Sequence, residues 1–74
     1  MSPTPLYQQL ADELAGQIES GDLPADRPLP SEARLQQEYG VARGTVRAAV
    51  RLLRERGLVV TVPQRGTFVV EPEK

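Results

Sequence analysis

Four arginines, Arg43, Arg47, Arg51 and Arg54, follow one another at helical spacing, and a guanidinium works by presenting a planar fork of N–H donors to oxyanions. Wound as an α-helix and counted from Arg43, they fall at roughly 0°, 40°, 80° and 20°, which is a single stripe. Such a stripe can lie along an anionic partner, or it can be a solvated face that keeps a protein soluble; the spacing alone fits both. Gly44 at about 100° and Ala48 at about 140° widen the outward arc without adding bulk, so the helix could approach a surface closely. Ala42, Val46, Ala49, Val50 and Leu53 fall at roughly 240° to 340°, and this arc predicts the side that packs against the rest of the chain.

Charge segregation favours the anionic partner. Residues 41–68 hold six arginines against Glu55, a balance of +5, while residues 1–40 hold Arg27 and Arg34 against seven carboxylates, a balance of −5. The overall net charge of −1 therefore hides a dipolar molecule. An incoming polyanion meets the local patch and not the sum.

Composition sets the remaining bounds. At 74 residues the chain is one small domain, near the lower size at which an apolar core suffices without staples. With neither cysteine nor histidine, disulfides, thiolate or imidazole zinc sites and histidine acid–base catalysis are excluded; no cofactor and no metal are expected. Apolar runs such as Leu58-Val59-Val60 are far too short to span a membrane. Met1-Ser2-Pro3-Thr4-Pro5 lacks the basic and apolar parts of a secretion signal, so the expected location is the cytoplasm.

The arginine helix needs supports, and the order of local signals supplies them. Thr4 as N-cap, Pro5 at the first helical position and Gly21 as a stop predict a first helix over about 5–20, its core stripe running through Leu6, Leu10, Leu14 and Ile18 and broadened by Tyr7 and Ala11. Three prolines between Gly21 and Pro30 rule out a helix or a central strand and predict an ordered surface loop. Ser31 then reads as an N-cap, Glu32 complements the helix dipole and Gly40 ends a short helix over 32–39. A tight glycine-containing turn leads into the arginine helix, at about 43–56, which makes a helix-turn-helix. After Gly57 the period changes. Leu58–Val62 and Thr67–Val70 are β-branched and apolar around a turn at Pro63-Gln64-Arg65-Gly66, a two-stranded hairpin or wing in which Gly66 takes positive φ and Phe68 is the expected anchor. Glu71-Pro72-Glu73-Lys74 is polar and expected to fray. The predicted fold is mainly α with a small β-hairpin, three helices plus a two-stranded wing, ordered over about 5–70.

Taken together, Leu29-Pro30-Ser31-Glu32, Gly40-Val41-Ala42-Arg43-Gly44-Thr45-Val46-Arg47 and Arg65-Gly66-Thr67-Phe68-Val69, in this order after a first helix and a proline-rich loop, resemble the amino-terminal winged helix-turn-helix domain of GntR-family bacterial transcription regulators. The resemblance implies sequence-specific binding of double-stranded DNA, with the recognition helix in the major groove, the wing (58–70) in the minor groove and two domains on a palindromic operator. Carried onto matching positions, it places Arg43, Gly44, Thr45 and Arg47 at the groove and Arg65 and Gly66 at the wing. The chemistry agrees: Arg43 or Arg47 could hold guanine O6 and N7 bidentately, and Thr45 could bond phosphate or a base edge. Ser31 could offer its hydroxyl to a phosphate or act only as a helix cap.

Three positions depart from the family pattern. Ala42 stands where Ser or Thr is usual, which removes a side-chain cap and one possible phosphate contact. Ala33 stands where an arginine is frequent, leaving Arg34 a weak substitute, and Asp26 stands where glycine is common, which Asp tolerates in a left-handed conformation. Arg51 and Arg54 lie where the helix leaves the groove and read as backbone neighbours or solubility residues; Arg56, near the helix end, reads as structural.

Two other functions compete. A winged helix can grip an acidic protein, and some relatives fuse this domain to an aminotransferase fold, although Lys74 is the one lysine here and nothing in these residues supplies catalysis. Family members carry a carboxy-terminal domain that binds an effector and dimerises. The chain is therefore expected to be a shortened form rather than a minimal one, dimeric only on DNA or through that further domain, since so small a surface leaves little for a stable dimer once a DNA face is reserved. A small-molecule effector would act only through that domain, and no membrane is implied as a partner.

Overall fold

A computed structural model describes residues 3–71. Three helices and a hairpin follow in order: α1 (Leu6–Ser20), α2 (Glu32–Tyr39), α3 (Arg43–Glu55), β1 (Val59–Val62) and β2 (Gly66–Val69). The expected frayed tail lies outside the described residues from Pro72 onward.

α1 starts one residue later than its sequence signals suggest. Pro5 is the N-cap, extended at ψ 146, and its carbonyl accepts from the Gln8 and Gln9 amides at 3.0 and 3.1 Å. Thr4 does not cap through its side chain; its carbonyl instead accepts from Gln9 Nε2 at 2.8 Å. The buried face runs through Leu10, Ala11, Leu14, Ala15 and Ile18. Leu6, expected in that stripe, is 55% exposed, and Tyr7 is 39% exposed although it sits at the middle of the apolar arc. Each four-residue step drifts about 40° around a helix, which sets Leu6 at the edge of the buried arc. Tyr7 is open for another reason: the first turn reaches past the core.

α2 is held at both ends by the expected devices. Ser31 Oγ accepts from the Arg34 amide at 3.1 Å, and Gly40 turns left-handed at φ 64 with its amide on Gln36 O at 2.8 Å. Leu35 is its one fully buried residue, and Tyr39 is tied back to α1 by Gln17 Nε2, which donates to its hydroxyl at 2.8 Å. α3 has no side-chain cap: Ala42, exposed rather than packed because it is extended ahead of the helix, offers its carbonyl to the Thr45 and Val46 amides at 3.0 and 3.2 Å. Val46, Ala49 and Leu53 have no solvent exposure at all, so the arc away from the arginines is the seat of the helix. Val50, at the arc's edge, is half-buried.

The wing pairs antiparallel in the register Val59↔Val69, Val60↔Phe68, Thr61↔Thr67 and Val62↔Gly66. Its anchors are Val59 and Val69, both buried, and not Phe68. Side chains alternate faces along a strand, so Phe68 shares the outer face with Val60, which is 48% exposed, while the neighbouring position turns inward. Gly66 takes positive φ as expected, and the turn ahead of it holds a second left-handed residue, Gln64. Arg65 N–H bonds Val62 O at 3.0 Å, with Pro63 second and Gln64 third at φ 66, the arrangement of a type II turn, while Gly66 at φ 116 already belongs to β2.

The proline-rich loop does more than cross the surface. Arg27 O accepts from the Val69 amide at 2.9 Å and Leu29 N–H donates to Thr67 O at 2.8 Å, bracketing a bridge between Pro28 and Phe68. In that pairing the bridging residues do not exchange hydrogen bonds with each other, so proline's missing donor costs nothing. Asp26 is left-handed at φ 65, as its place in the loop requires, and its amide bonds Val69 O at 2.9 Å. The wing is thus clamped between the loop on one edge and α3, whose Arg54 Nη1 donates to Thr61 Oγ1 at 2.9 Å.

Seating α3 is the critical packing step, so Leu53→Ala, at a site with no exposure, is expected to cost about 2–5 kcal/mol. In a domain this small that is a large part of total stability. Urea denaturation followed by circular dichroism should show a much lower midpoint or a chain unfolded without denaturant.

Candidate nucleic-acid interface

α3 presents its first two turns outward. The Arg43 and Arg47 side chains are 66% and 65% exposed. Gly44 lies between them with nothing within 4 Å of the place a Cβ would take, and Thr45 is half-buried beside it. Because Ala42 supplies only its carbonyl, the Arg43 and Gly44 amides have no helical acceptor and also point outward, as first-turn amides do.

One carboxylate organises the arginines. Glu32 Oε1 accepts from Arg43 Nε at 3.3 Å, and its Oε2 lies 3.7 Å from Arg47 Nε. Sequence suggested only a helix-dipole role for Glu32; its partners lie in the next helix, and only the tight turn at Gly40 brings them to it. Both pairs are surface pairs, and each contributes at most about 1 kcal/mol. A stronger oxyanion could displace the carboxylate at little cost, while until then the two guanidinium groups are held in one orientation.

On the wing side of α3, Ser31, Glu32, Val50, Arg65 and Gly66 line a common cleft of about 330 Å³. The structure therefore brings the loop-end serine and the wing tip together, and the Glu32 pairs join them to Arg43 and Arg47 in one continuous face. Ser31 serves as the helix cap, and its hydroxyl accepts from Arg34 N; the hydroxyl hydrogen remains able to donate outward. Arg65 and Gly66 are exposed at the tip.

Three other arginines have carboxylate partners. Arg56 Nη1 lies 2.8 Å from Asp12 Oδ1, which ties the end of α3 to α1 and accords with its structural reading. Arg51 faces Glu55 at 3.7 Å, one helical turn away. Arg34 faces Glu38 at 3.9 Å. Among the described residues no group of carboxylates is placed to hold a metal ion, and no helix is long and apolar enough to cross a membrane.

Known proteins are similar to this chain in sequence and in fold. The model of the family described as bacterial regulatory proteins, gntR family, matches residues 6–69. The HTH-type transcriptional repressor NagR of Bacillus subtilis (strain 168) is 43% identical over 72 residues, covering 97% of this chain and 30% of that protein. The mannosyl-D-glycerate transport/metabolism system repressor MngR of Escherichia coli (strain K12) is 44% identical over 71 residues, covering 96% of this chain and 30% of its own length. The chain thus spans under a third of these curated relatives. Among solved structures, the AraR DNA-binding domain in complex with operator ORR3 superposes with a TM-score of 0.82 at 34% identity, covering 95% of this chain and 92% of that one. The same domain with operator ORE1 gives 0.85 at 37% identity, covering 92% and 83%.

If Glu32 restrains the arginines and repels phosphates of any sequence, Glu32→Gln should tighten binding to scrambled duplex DNA by about three- to tenfold while tightening preferred duplexes less. Parallel fluorescence-anisotropy titrations would show the narrowed ratio.

Proposed function

This chain belongs to the GntR family of bacterial regulatory proteins, and on that footing we propose that it is a sequence-specific double-stranded DNA-binding domain, the operator-reading part of a transcriptional repressor acting in the cytoplasm. The observation that carries the proposal is the outward pair Arg43 and Arg47 around an unobstructed Gly44 on a helix seated by its opposite face. That geometry fits a duplex. A helix about 10–12 Å across fills a major groove about 12 Å wide, and a first turn with no side chain at Gly44 lets the backbone come close. Arg43 or Arg47 then takes guanine O6 and N7, Thr45 bonds a base edge or phosphate, and the free amides of the first turn meet a phosphate.

The wing follows from the same placement. With α3 in the major groove, the tip carrying Arg65 and Gly66 reaches toward the neighbouring minor groove, where a guanidinium suits the narrow, negative floor of A·T-rich sequence. Ser31, in the cleft between, donates to backbone phosphate. Two copies on a palindrome would read both half-sites, pairing on the DNA or through further domains, where a small-molecule effector would also act. The similarity to a domain solved on its operator supports this reading over an acidic protein partner.

Titration with a palindromic duplex selected by this chain from random DNA, and with its scrambled counterpart, tests the proposal at two salt concentrations. Affinity should fall steeply with salt, and Arg47→Ala should cost about 1–3 kcal/mol on the selected duplex with helix content unchanged. Binding indifferent to salt and to scrambling would reject it.

A further inference from the structure

One arginine of the stripe is engaged differently from the other three. Arg43, Arg47 and Arg51 face carboxylates, whereas Arg54 reaches from α3 to the wing, where its Nη1 donates to Thr61 Oγ1 at 2.9 Å. Thr61 lies directly across from Thr67, and their hydroxyl oxygens are 3.1 Å apart, close enough for one to donate to the other. A hydroxyl that accepts from a cation donates more strongly, so the three groups form one polar chain from Arg54 through Thr61 to Thr67. By strand alternation Thr61 shares a face with Val59, and Thr67 with Val69. The inner face of the wing is therefore apolar and buried at its root and hydroxyl-bearing toward its tip.

The two strands of the wing are not held alike. Val59 and Val69 root both in the core, and β2 is further tied along its free side by the proline-rich loop, through Arg27 O and Leu29 N–H. β1 is the outer strand, and past its root the bond from Arg54 to Thr61 holds it to α3. From Val59 to the turn at Pro63 is four residues, about 13 Å of strand. A rotation of about 10° at the root would displace the tip by about 2 Å, well outside the roughly 0.5 Å within which a binding group must be held. Arg65 stands exposed in that turn. The Thr61↔Thr67 pair is the neighbour of the closing pair Val62↔Gly66, so the polar chain from Arg54 acts on the wing close to its tip.

We propose that Arg54 is a positioning residue for the wing: through Thr61 and Thr67 it sets the angle of the hairpin to α3, so that Arg65 is presented in register with Arg43 and Arg47. The role rests on the DNA-reading function above and ties its two reading elements into one rigid unit. It also separates Arg54 from the other arginines of the stripe, because its guanidinium is engaged within the fold rather than offered to a phosphate.

The 74-residue chain and its Thr61→Val and Arg54→Gln variants would be titrated with the selected duplex over a range of KCl, each also combined with Arg65→Ala and with Arg47→Ala, and urea midpoints measured alongside. Valine keeps the shape of threonine and favours a strand, so Thr61→Val removes the hydroxyl and retains the hairpin. It should weaken binding by about three- to tenfold with the log–log salt slope unchanged, and adding Arg54→Gln should weaken it little further. In a chain already carrying Arg65→Ala the Thr61→Val loss should vanish, because no wing-tip cation remains to be misplaced, whereas beside Arg47→Ala it should persist in full. An Arg54 that held a phosphate would give the opposite pattern: Arg54→Gln would lower the slope by about one, and its loss would survive Arg65→Ala. That pattern, a Thr61→Val or an Arg65→Ala without effect, or a Thr61→Val loss of equal size in every background, whatever the urea midpoint, would each overturn the positioning role while leaving the DNA-reading function standing. Failure of the unaltered chain to bind any duplex would overturn both.

Discussion

Everything in this small protein depends on burying one side of α3. Val46, Ala49 and Leu53 are wholly excluded from solvent, and they interlock with Leu10, Leu14 and Ile18 of α1 in a single core. With that arc sealed, the helix cannot roll, and its opposite arc is fixed as the surface on which four arginines stand. α2, the proline-rich loop and the wing are then arranged around a rigid axis. The loop completes the ladder beside β2, and Arg54 joins α3 to Thr61 of the wing. A hairpin that would be marginal alone becomes an ordered arm.

The electrostatics are built for exchange rather than for stability. The arginines of the outer arc have carboxylate or hydroxyl partners, and those contacts are exposed enough to be worth little individually. Their effect is to order long side chains before a partner arrives, which lowers the entropy lost on binding. Glu32 does this for two arginines at once. The acidic half of the molecule also turns unproductive faces away from a polyanion, so a chain of net charge −1 can still present one strongly positive edge.

The sequence made the helices, the helix-turn-helix and the wing legible because each is set by local signals: a cap at Ser31, stops at Gly21 and Gly40, a period of 3.6 giving way to a period of 2. Ends and tertiary partners were harder. Tyr7 sits at the middle of the apolar arc of α1, yet its exposure is decided by how far the neighbouring elements reach, which no local pattern records. Phe68 is the bulkiest wing residue, but strand register, and not size, puts Val59 and Val69 inward. The ladder through Pro28 and the double pairing of Glu32 join residues far apart in sequence, and such contacts leave no periodic trace. The candidate interface was legible as residue types, since arginine spacing needs only the helix; the cleft beside it needed the packed structure.

Chemical-shift mapping of the amides during titration with the selected duplex tests the central claim most directly. The account predicts that the largest changes fall on the first turns of α3, from Arg43 to Arg47, and on Arg65 and Gly66 at the wing tip, with the buried seam of Val46, Ala49 and Leu53 still protected from hydrogen exchange. If the α3 and wing-tip amides stay unmoved while the acidic outer face of α1 shifts, the arginine edge is not the surface this protein uses.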